Sequence, residues 1–304
     1  MISRRHFLST SLGALSVSTL PAIEPIKRPG KGRMQLGVAA YSFRENFQWM
    51  RDKEQKPKGD RKAWSILDFI DWCGDNNVPG AEVTSYFFPP DVDDAFLLEV
   101  KRRAYLRGVQ LAGTAVGNNF ALPKGEKLNE QIAYTKKWID HSVVMGAPHI
   151  RVFAGAKPKD LSEEEALANC QAAYQECLDY AGKKGVFLGL ENHGGIVAEP
   201  ANLVKMVQAA NSPWAGINLD SGNFHTADPY ADLEKIAPYA INVQLKMEIK
   251  REGAKDAEAS DVARILKIMR DANYQGWFTL EYEKKDDPFV EVPKICDMLR
   301  PLLS

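Results

Sequence analysis

The sequence predicts a (β/α)8 barrel that forms a single domain. From Met34 onward, eight short apolar or β-branched segments alternate with eight longer helix-like segments. Connections of that length indicate parallel strands, and eight is the number of strands that closes a barrel. An open doubly wound sheet is the alternative, but it usually carries a glycine-rich phosphate loop after its first strand. Here that position reads Tyr41-Ser-Phe-Arg-Glu-Asn46, which contains no such loop.

The predicted strands are runs of five to seven residues rich in Val, Ile, Leu and aromatic side chains. They cover residues 35–41, 80–84, 109–115, 149–154, 186–191, 216–220, 241–246 and 277–281. The predicted helices cover residues 62–76, 92–107, 128–145, 162–184, 199–210, 231–237, 259–272 and 289–302.

Capping residues support these boundaries. Three helix starts carry side chains that accept a hydrogen bond from a free backbone N–H: Asp91, Ser162 and Ser260. Ser162 is followed three residues later by Glu165, which predicts a capping box. Three helices are predicted to end at a glycine just before the next strand: Gly108, Gly146 and Gly185.

Composition gives the broad class. The chain has 304 residues, of which 45% are hydrophobic and 26% charged, and its formal net charge is -1. This is the composition of a globular domain with a large core. Nucleic-acid binding depends on clustered cations, so a near-zero net charge gives no reason to expect it.

The N-terminal residues predict an export signal rather than part of the barrel. The motif Ser3-Arg4-Arg5-His6-Phe7-Leu8 precedes a mildly apolar stretch, Ser11–Leu20, and a small-residue and proline break at Pro21-Ala22. This pattern favours a twin-arginine signal and a periplasmic location; a disordered basic tail is the alternative. We therefore assign residues 1–33 to the signal and a linker, and 34–304 to the barrel. The apolar stretch is too short to span a bilayer, and no other segment approaches about 18 apolar residues, so no stable membrane insertion is expected.

Oxygen-bearing side chains end four successive predicted strands: Glu191, Asp220, Gln244 and Glu281. In a parallel barrel these side chains converge at one rim, where barrel enzymes place their catalytic groups. Three acids in one place repel each other unless a cation lies among them. Carboxylate and amide oxygens suit a hard divalent ion, and the lack of a histidine among the four weakens the case for Zn²⁺. For any one of these acids, a helix cap or salt bridge is the alternative.

The phrases around these residues resemble the sugar phosphate isomerase/epimerase superfamily of xylose-isomerase-like barrels. The phrases are Gly189-Leu-Glu-Asn-His-Gly-Gly195, Asn218-Leu-Asp-Ser-Gly-Asn-Phe224, Val243-Gln-Leu-Lys246 and Gly276-Trp-Phe-Thr-Leu-Glu281. The resemblance runs from about Met34 to the C-terminus and implies that Glu191, Asp220, Gln244 and Glu281 bind one divalent cation, Mn²⁺ first, with Mg²⁺, Co²⁺ or Zn²⁺ as alternatives. Many relatives have histidine where this chain has Gln244, and hydroxypyruvate isomerase-like members have glutamine, which leaves the subfamily and its substrate open.

The resemblance also implies a reaction. A cation that chelates a carbonyl and a neighbouring hydroxyl stabilises the enediolate formed when the adjacent C–H loses its proton. Glu191 and Glu281 are then the proton-transfer pair, and the substrate is an unphosphorylated carbohydrate or polyol, since the sequence has no evident phosphate-binding loop. A lyase or hydratase acting on a keto-sugar or 3-keto-glycoside is the alternative. A non-catalytic periplasmic sugar-binding protein is a third, and a homo-oligomer is allowed.

Five further side chains are predicted to contact substrate: His193, His225, Lys246, Glu82 and Arg151. Four of them also have another reading: a loop histidine for His193, a salt bridge for Lys246, pairing with an interior arginine for Glu82, and neutralisation of the acid cluster for Arg151. In relatives with Asp-x-x-His after the sixth strand, the histidine position matches Asn223, so that contact is not carried over. The charged insert 46–60 after the first strand is either a lid or a flexible loop.

Overall fold

Eight parallel strands close into a barrel in the computed structural model, which describes residues 23–303. The strands are β1 Arg33–Ala39, β2 Gly80–Thr84, β3 Gln110–Ala115, β4 His149–Phe153, β5 Phe187–Glu191, β6 Ala215–Asp220, β7 Ala240–Leu245 and β8 Gln275–Leu280. Each strand pairs with its neighbour in the chain, and β8 pairs with β1 to close the ring. The predicted single-domain (β/α)8 fold is confirmed.

One main helix follows each of the eight strands. These helices are α1 Ile66–Asp75, α2 Asp94–Leu106, α3 Glu126–Met145, α4 Glu163–Lys184, α5 Pro200–Ala209, α6 Pro229–Ile236, α7 Val262–Asp271 and α8 Pro288–Leu303. Their apolar faces pack on the outside of the barrel, as the fully buried Leu97, Leu203 and Leu299 illustrate. Burial of this apolar layer is the main source of stability for such a fold.

The strand register brings the predicted residues to one rim. Asp220 of β6 lies opposite Gln244 of β7, and Glu191 of β5 lies opposite Asn218 of β6. Glu281 follows β8 directly, and its backbone N–H donates to the carbonyl of Leu245. All four predicted strand-end residues therefore lie at or next to the carboxyl ends of β5 to β8.

Helix boundaries differ from the prediction by a few residues. The capping box of Ser162 and Glu165 at the start of α4 is present in full. At α2 the cap is Asp93 rather than Asp91, because the Asp93 side chain accepts from the backbone N–H of Phe96. At α7 the cap is Asp261 rather than Ser260, because the Asp261 side chain accepts from the backbone N–H of Arg264.

The insert after β1 is folded over the rim. Residues 40–43 form a 3-10 turn where the sequence predicts the end of the strand. Trp49–Met50 and Lys53–Glu54 then form a two-stranded hairpin whose turn residues, Arg51 and Asp52, have positive φ. The ring of Phe47 stacks on Phe87 with centroids 4.1 Å apart, which anchors the insert to the barrel.

The predicted linker lies against the opposite, amino-terminal face of the barrel. The backbone N–H of Ile23 donates to Gln208, and that of Ile26 donates to Pro238. Arg28 donates to the carbonyl of Ala240 at 2.6 Å. The predicted export signal lies outside the described residues. Within 23–303, no helix is long and apolar enough to cross a membrane.

Candidate active site

The carboxyl-terminal rim is tied together by short polar side chains. Asn192 bonds to both the backbone N–H and the carbonyl of Asp220, at 2.8 and 2.9 Å. Ser221 accepts from the backbone N–H of Lys246 at 2.8 Å, which fixes β6 to β7. Ser42 accepts from the backbone N–H of Tyr282 at 2.9 Å, which fixes the end of β8 to the start of the insert. These hydrogen bonds hold the strand ends together at the rim.

Glu191 is buried between a cation and an amide. Arg151 Nε lies 2.7 Å from Glu191 Oε2, and Asn223 Nδ2 donates to Glu191 Oε1 at 2.8 Å. The Arg151 guanidinium also donates to the carbonyl of Val116 and lies over the ring of Phe153. Burial raises the pKa of Glu191 to about 7, although Arg151 opposes that shift.

Lys246 lies among three carboxylates on the other side of the rim. Its Nζ is 2.7 Å from Glu281 Oε2 and 3.5 Å from Asp220 Oδ2, and it also pairs with Glu283. Burial by itself lowers the pKa of this lysine, but Asp220, Glu281 and Glu283 outweigh burial and hold the pKa well above its usual value. The lysine is therefore positively charged in this site.

The two predicted proton-transfer residues have different environments. Burial opposes ionisation of Glu281, but Lys246 and Arg151 more than compensate and hold its pKa below the usual value. Glu191 has its pKa raised by burial. A pair of carboxylates with separated pKa values can supply one base and one acid at neutral pH. Asp220, the third acid, has a pKa raised well above its usual value by burial.

Gln244 belongs to a hydrogen-bond network inside the barrel. Its Nε2 donates to Glu82 Oε1 and its Oε1 accepts from Asn218, both at 2.7 Å. Asn242 also donates to Glu82 and to Asn218, at 3.1 and 2.8 Å. Burial raises the pKa of Glu82 to about 8. Its two carboxylate oxygens accept from interior amides, and its predicted contact with substrate stays a prediction.

A cavity of about 100 Å³ opens above the charged residues. Glu191, Glu281, Lys246 and Arg151 line it together with residues of the rim loops, among them Tyr41, Arg51, Tyr86 and Phe153. A second cavity of about 270 Å³ adjoins it and shares His193 and Asn223 with it.

The two predicted histidines lie at different distances from the charged residues. The ring of His193 packs on Phe153 with centroids 4.3 Å apart, and burial lowers its pKa. His225 is exposed and lines only the second cavity. Of the two histidines, His193 lines both cavities.

The side chains as arranged do not form a divalent-ion site. Among residues 23–303, no group of three or more His, Cys, Asp or Glu side chains has a geometry that could hold a metal ion. The Lys246 ammonium lies between Asp220 and Glu281, and both polar atoms of the Gln244 amide are committed to interior partners. Binding of a divalent ion by Glu191, Asp220, Gln244 and Glu281 stays a prediction.

Comparison with known proteins agrees with the barrel. The model of a protein family described as "Xylose isomerase-like TIM barrel" matches residues 70–302 of the chain. The chain belongs to this family. No curated protein matches it significantly in sequence.

Several solved structures share the fold at low sequence identity. The chain is similar to 3-keto-D-glucoside 4-epimerase from E. coli (TM-score 0.66, 14% identity, 88% of this chain and 100% of that one). It is also similar to D-psicose 3-epimerase from Clostridium cellulolyticum H10 (TM-score 0.64, 15% identity, 88% and 90%). A D-tagatose 3-epimerase-like protein has a TM-score of 0.68 at 18% identity, with coverage of 89% and 98%. At these identities the likeness shows the fold alone.

Sequence reasoning missed three polar residues of the site. Glu283 could have been found, because residues two apart beyond a strand end can face the same side. Asn223 was considered only as a replaced histidine, whereas it donates to Glu191. Arg51 lies at the tip of the insert, where its guanidinium covers the ring of Tyr86 at 4.4 Å. No sequence signal marks Arg51, because its place depends on how the insert folds back.

Proposed function

We propose that this protein is a carbohydrate isomerase or epimerase that moves a proton at a carbon next to a carbonyl group. The observation that carries the proposal is the pair of buried glutamates, Glu191 and Glu281, that line one cavity with a cation on each. Family membership and the names of the similar structures, which are sugar epimerases, support it.

The chemistry follows from the charges of the pair. Glu281, held ionised by Lys246, takes the proton from the carbon, and the electron pair moves to the carbonyl oxygen to give an enediolate. Glu191, with its raised pKa, returns a proton to the carbon skeleton. Arg151 and Lys246 supply positive charge toward the oxygens on which negative charge develops.

The cavities favour an unphosphorylated carbohydrate. Aromatic rings of Tyr41, Tyr86 and Phe153 line the smaller cavity and suit the C–H faces of a sugar ring. The adjoining cavity at His193 and Asn223 has space for the rest of a larger substrate. This space also suits the leaving group of a 3-keto-glycoside, so the lyase or hydratase remains the second candidate. A sugar-binding protein does not need two carboxylates whose pKa values are shifted in opposite directions. A non-catalytic sugar-binding protein is therefore the third candidate.

Dependence on a divalent ion, with Mn²⁺ as the first choice, stays a prediction of the sequence. Such an ion would supply Lewis-acid stabilisation of the enediolate oxygens. Export to the periplasm and formation of a homo-oligomer likewise stay predictions.

Proton exchange in D₂O tests the proposal. NMR of unphosphorylated ketoses and 3-keto-glucosides incubated with the protein is expected to show deuterium entering next to the carbonyl while the glycosidic bond stays intact. A released aglycone or an enone product would instead establish the lyase. Absence of exchange and of any product across the panel would contradict both reactions and favour the binding protein.

The Glu281→Gln variant tests the assigned base. We expect exchange to fall by about 10²–10⁴-fold, the usual contribution of a positioned general base. Glu176→Gln, on the outer face of α4 where Glu176 pairs with Lys136, is the matched control and should exchange like the wild type. Exchange retained by Glu281→Gln would refute the role of that residue.

A further inference from the structure

The ammonium of Lys246 lies where the sequence predicts a metal ion. Its Nζ is within ion-pair distance of Asp220 and Glu281, two members of the predicted ligand set, and of Glu283, which the prediction did not include. The acids at β6 and β8 therefore already have a cation between them.

The position of this lysine is set by its surroundings. Its backbone N–H donates to Ser221, and only 9% of the residue is exposed. Its aliphatic stem packs against Gly222, where an added Cβ would come within 2.7 Å of Lys246 Cβ. A residue with a side chain at position 222 would push the stem away, so the glycine leaves the room in which the ammonium reaches the carboxylates.

The remaining predicted ligands also have protein partners. Glu191 is held by Arg151 and Asn223, and Gln244 is held by Glu82 and Asn218. An incoming divalent ion would have to displace Lys246 and reorient Gln244. Two cations in one position repel each other strongly in a site with little water.

We propose that Lys246 is the resident cation of this site and competes with a divalent ion for the carboxylates of Asp220 and Glu281. The inference rests on the proposed function in one respect: it assigns the positive charge of the site that the proposed reaction uses. It predicts weak metal binding by the wild-type protein, which is the opposite of what the ligand set read from the sequence predicts.

Metal binding measured without turnover tests this assignment. Purified full-length wild type and Lys246→Met are titrated with Mn²⁺, and free Mn²⁺ is followed by electron paramagnetic resonance. Removing the ammonium frees the carboxylates of Asp220 and Glu281 for the ion. We therefore expect Lys246→Met to bind one Mn²⁺ at least about tenfold more tightly than the wild type, a gain that corresponds to about 1.4 kcal/mol. Circular dichroism and melting temperature verify that the variant is folded.

Two controls separate charge from shape. Lys246→Arg keeps the positive charge and should bind Mn²⁺ as weakly as the wild type. Lys136→Met removes a surface lysine that pairs with Glu176, and it should leave Mn²⁺ binding unchanged. Binding by Lys246→Arg as tight as by Lys246→Met would overturn the inference.

The wild type alone can also overturn the inference. If it binds one Mn²⁺ as tightly as Lys246→Met, or retains stoichiometric Mn²⁺ through purification, then Lys246 does not compete with the ion. This holds even if Lys246→Met fails to fold. Failure of the proposed function is distinguished from this result, because it is read from deuterium exchange by the wild type and not from metal affinity.

Discussion

His149 is expected to make the protein lose stability in acid. The ring begins β4, is 5% exposed, and its Nδ1–H donates to the carbonyl of Ala112 at 2.9 Å. It packs so closely on Gly113 that an added Cβ there would come within 2.0 Å of the ring. Burial, assisted by the charge of Arg151, lowers the pKa of His149 from 6.5 to about 4. The folded state therefore keeps this histidine neutral while the unfolded chain takes up a proton.

The sign and size follow from linkage. Because the folded pKa is depressed for a base, the stability is complete above the unfolded pKa and is lost as the pH falls from 6.5 toward 4. The full shift corresponds to about 3 kcal/mol, and about 2 kcal/mol of it is lost by a pH of about 5.

Replacing His149 with asparagine should remove that loss while retaining a donor for Ala112. Urea unfolding at pH values of about 7.5 and about 5 gives the free energy of unfolding of each protein at each pH. We expect the wild type to lose about 2 kcal/mol more than His149→Asn between the two conditions. His225→Asn, which removes an exposed histidine, is the control and should follow the wild type. Equal acid losses in wild type and His149→Asn would refute the reasoning.

Three further variants probe the rim and the outer layer. Arg51→Ala removes the guanidinium that covers Tyr86 at the cavity, so we expect KM to rise about tenfold with kcat little changed. Steady-state kinetics that show an unchanged KM would exclude a role for Arg51 in substrate binding. Asn223→Ala removes the hydrogen bond to Glu191. We expect kcat to fall about tenfold, which corresponds to an increase of about 1.4 kcal/mol in the activation free energy. An unchanged kcat in the same kinetics would show that this hydrogen bond has no part in turnover. Ser162→Ala removes the cap of α4 and should lower the free energy of unfolding by about 1 kcal/mol in urea; a stability equal to that of the wild type would contradict the cap.

The sequence was sufficient to predict the barrel and its rim. Strand periodicity, helix-length connections and caps are local properties, and the Ser162 capping box is present as predicted. Errors at the caps of α2 and α7 have a simple origin, because two capping side chains lie close together and the backbone turn selects one of them. Metal binding, export and oligomeric state are not decided by these local patterns.

What the sequence determined by itself is the set of oxygen-bearing side chains at the strand ends, since the parallel order of a barrel places them at one rim. Their partners were decided only by the tertiary structure. Gln244 donates a hydrogen bond to Glu82, which lies 162 positions away in the chain. Lys246, which directly follows β7, pairs with Glu281 beyond the end of β8. Such pairings depend on barrel closure and on which way each side chain turns at the rim. The sequence indicated that a cation was needed there and allowed a salt bridge for Lys246, but only the structure shows that Asp220, Glu281 and Glu283 are its partners.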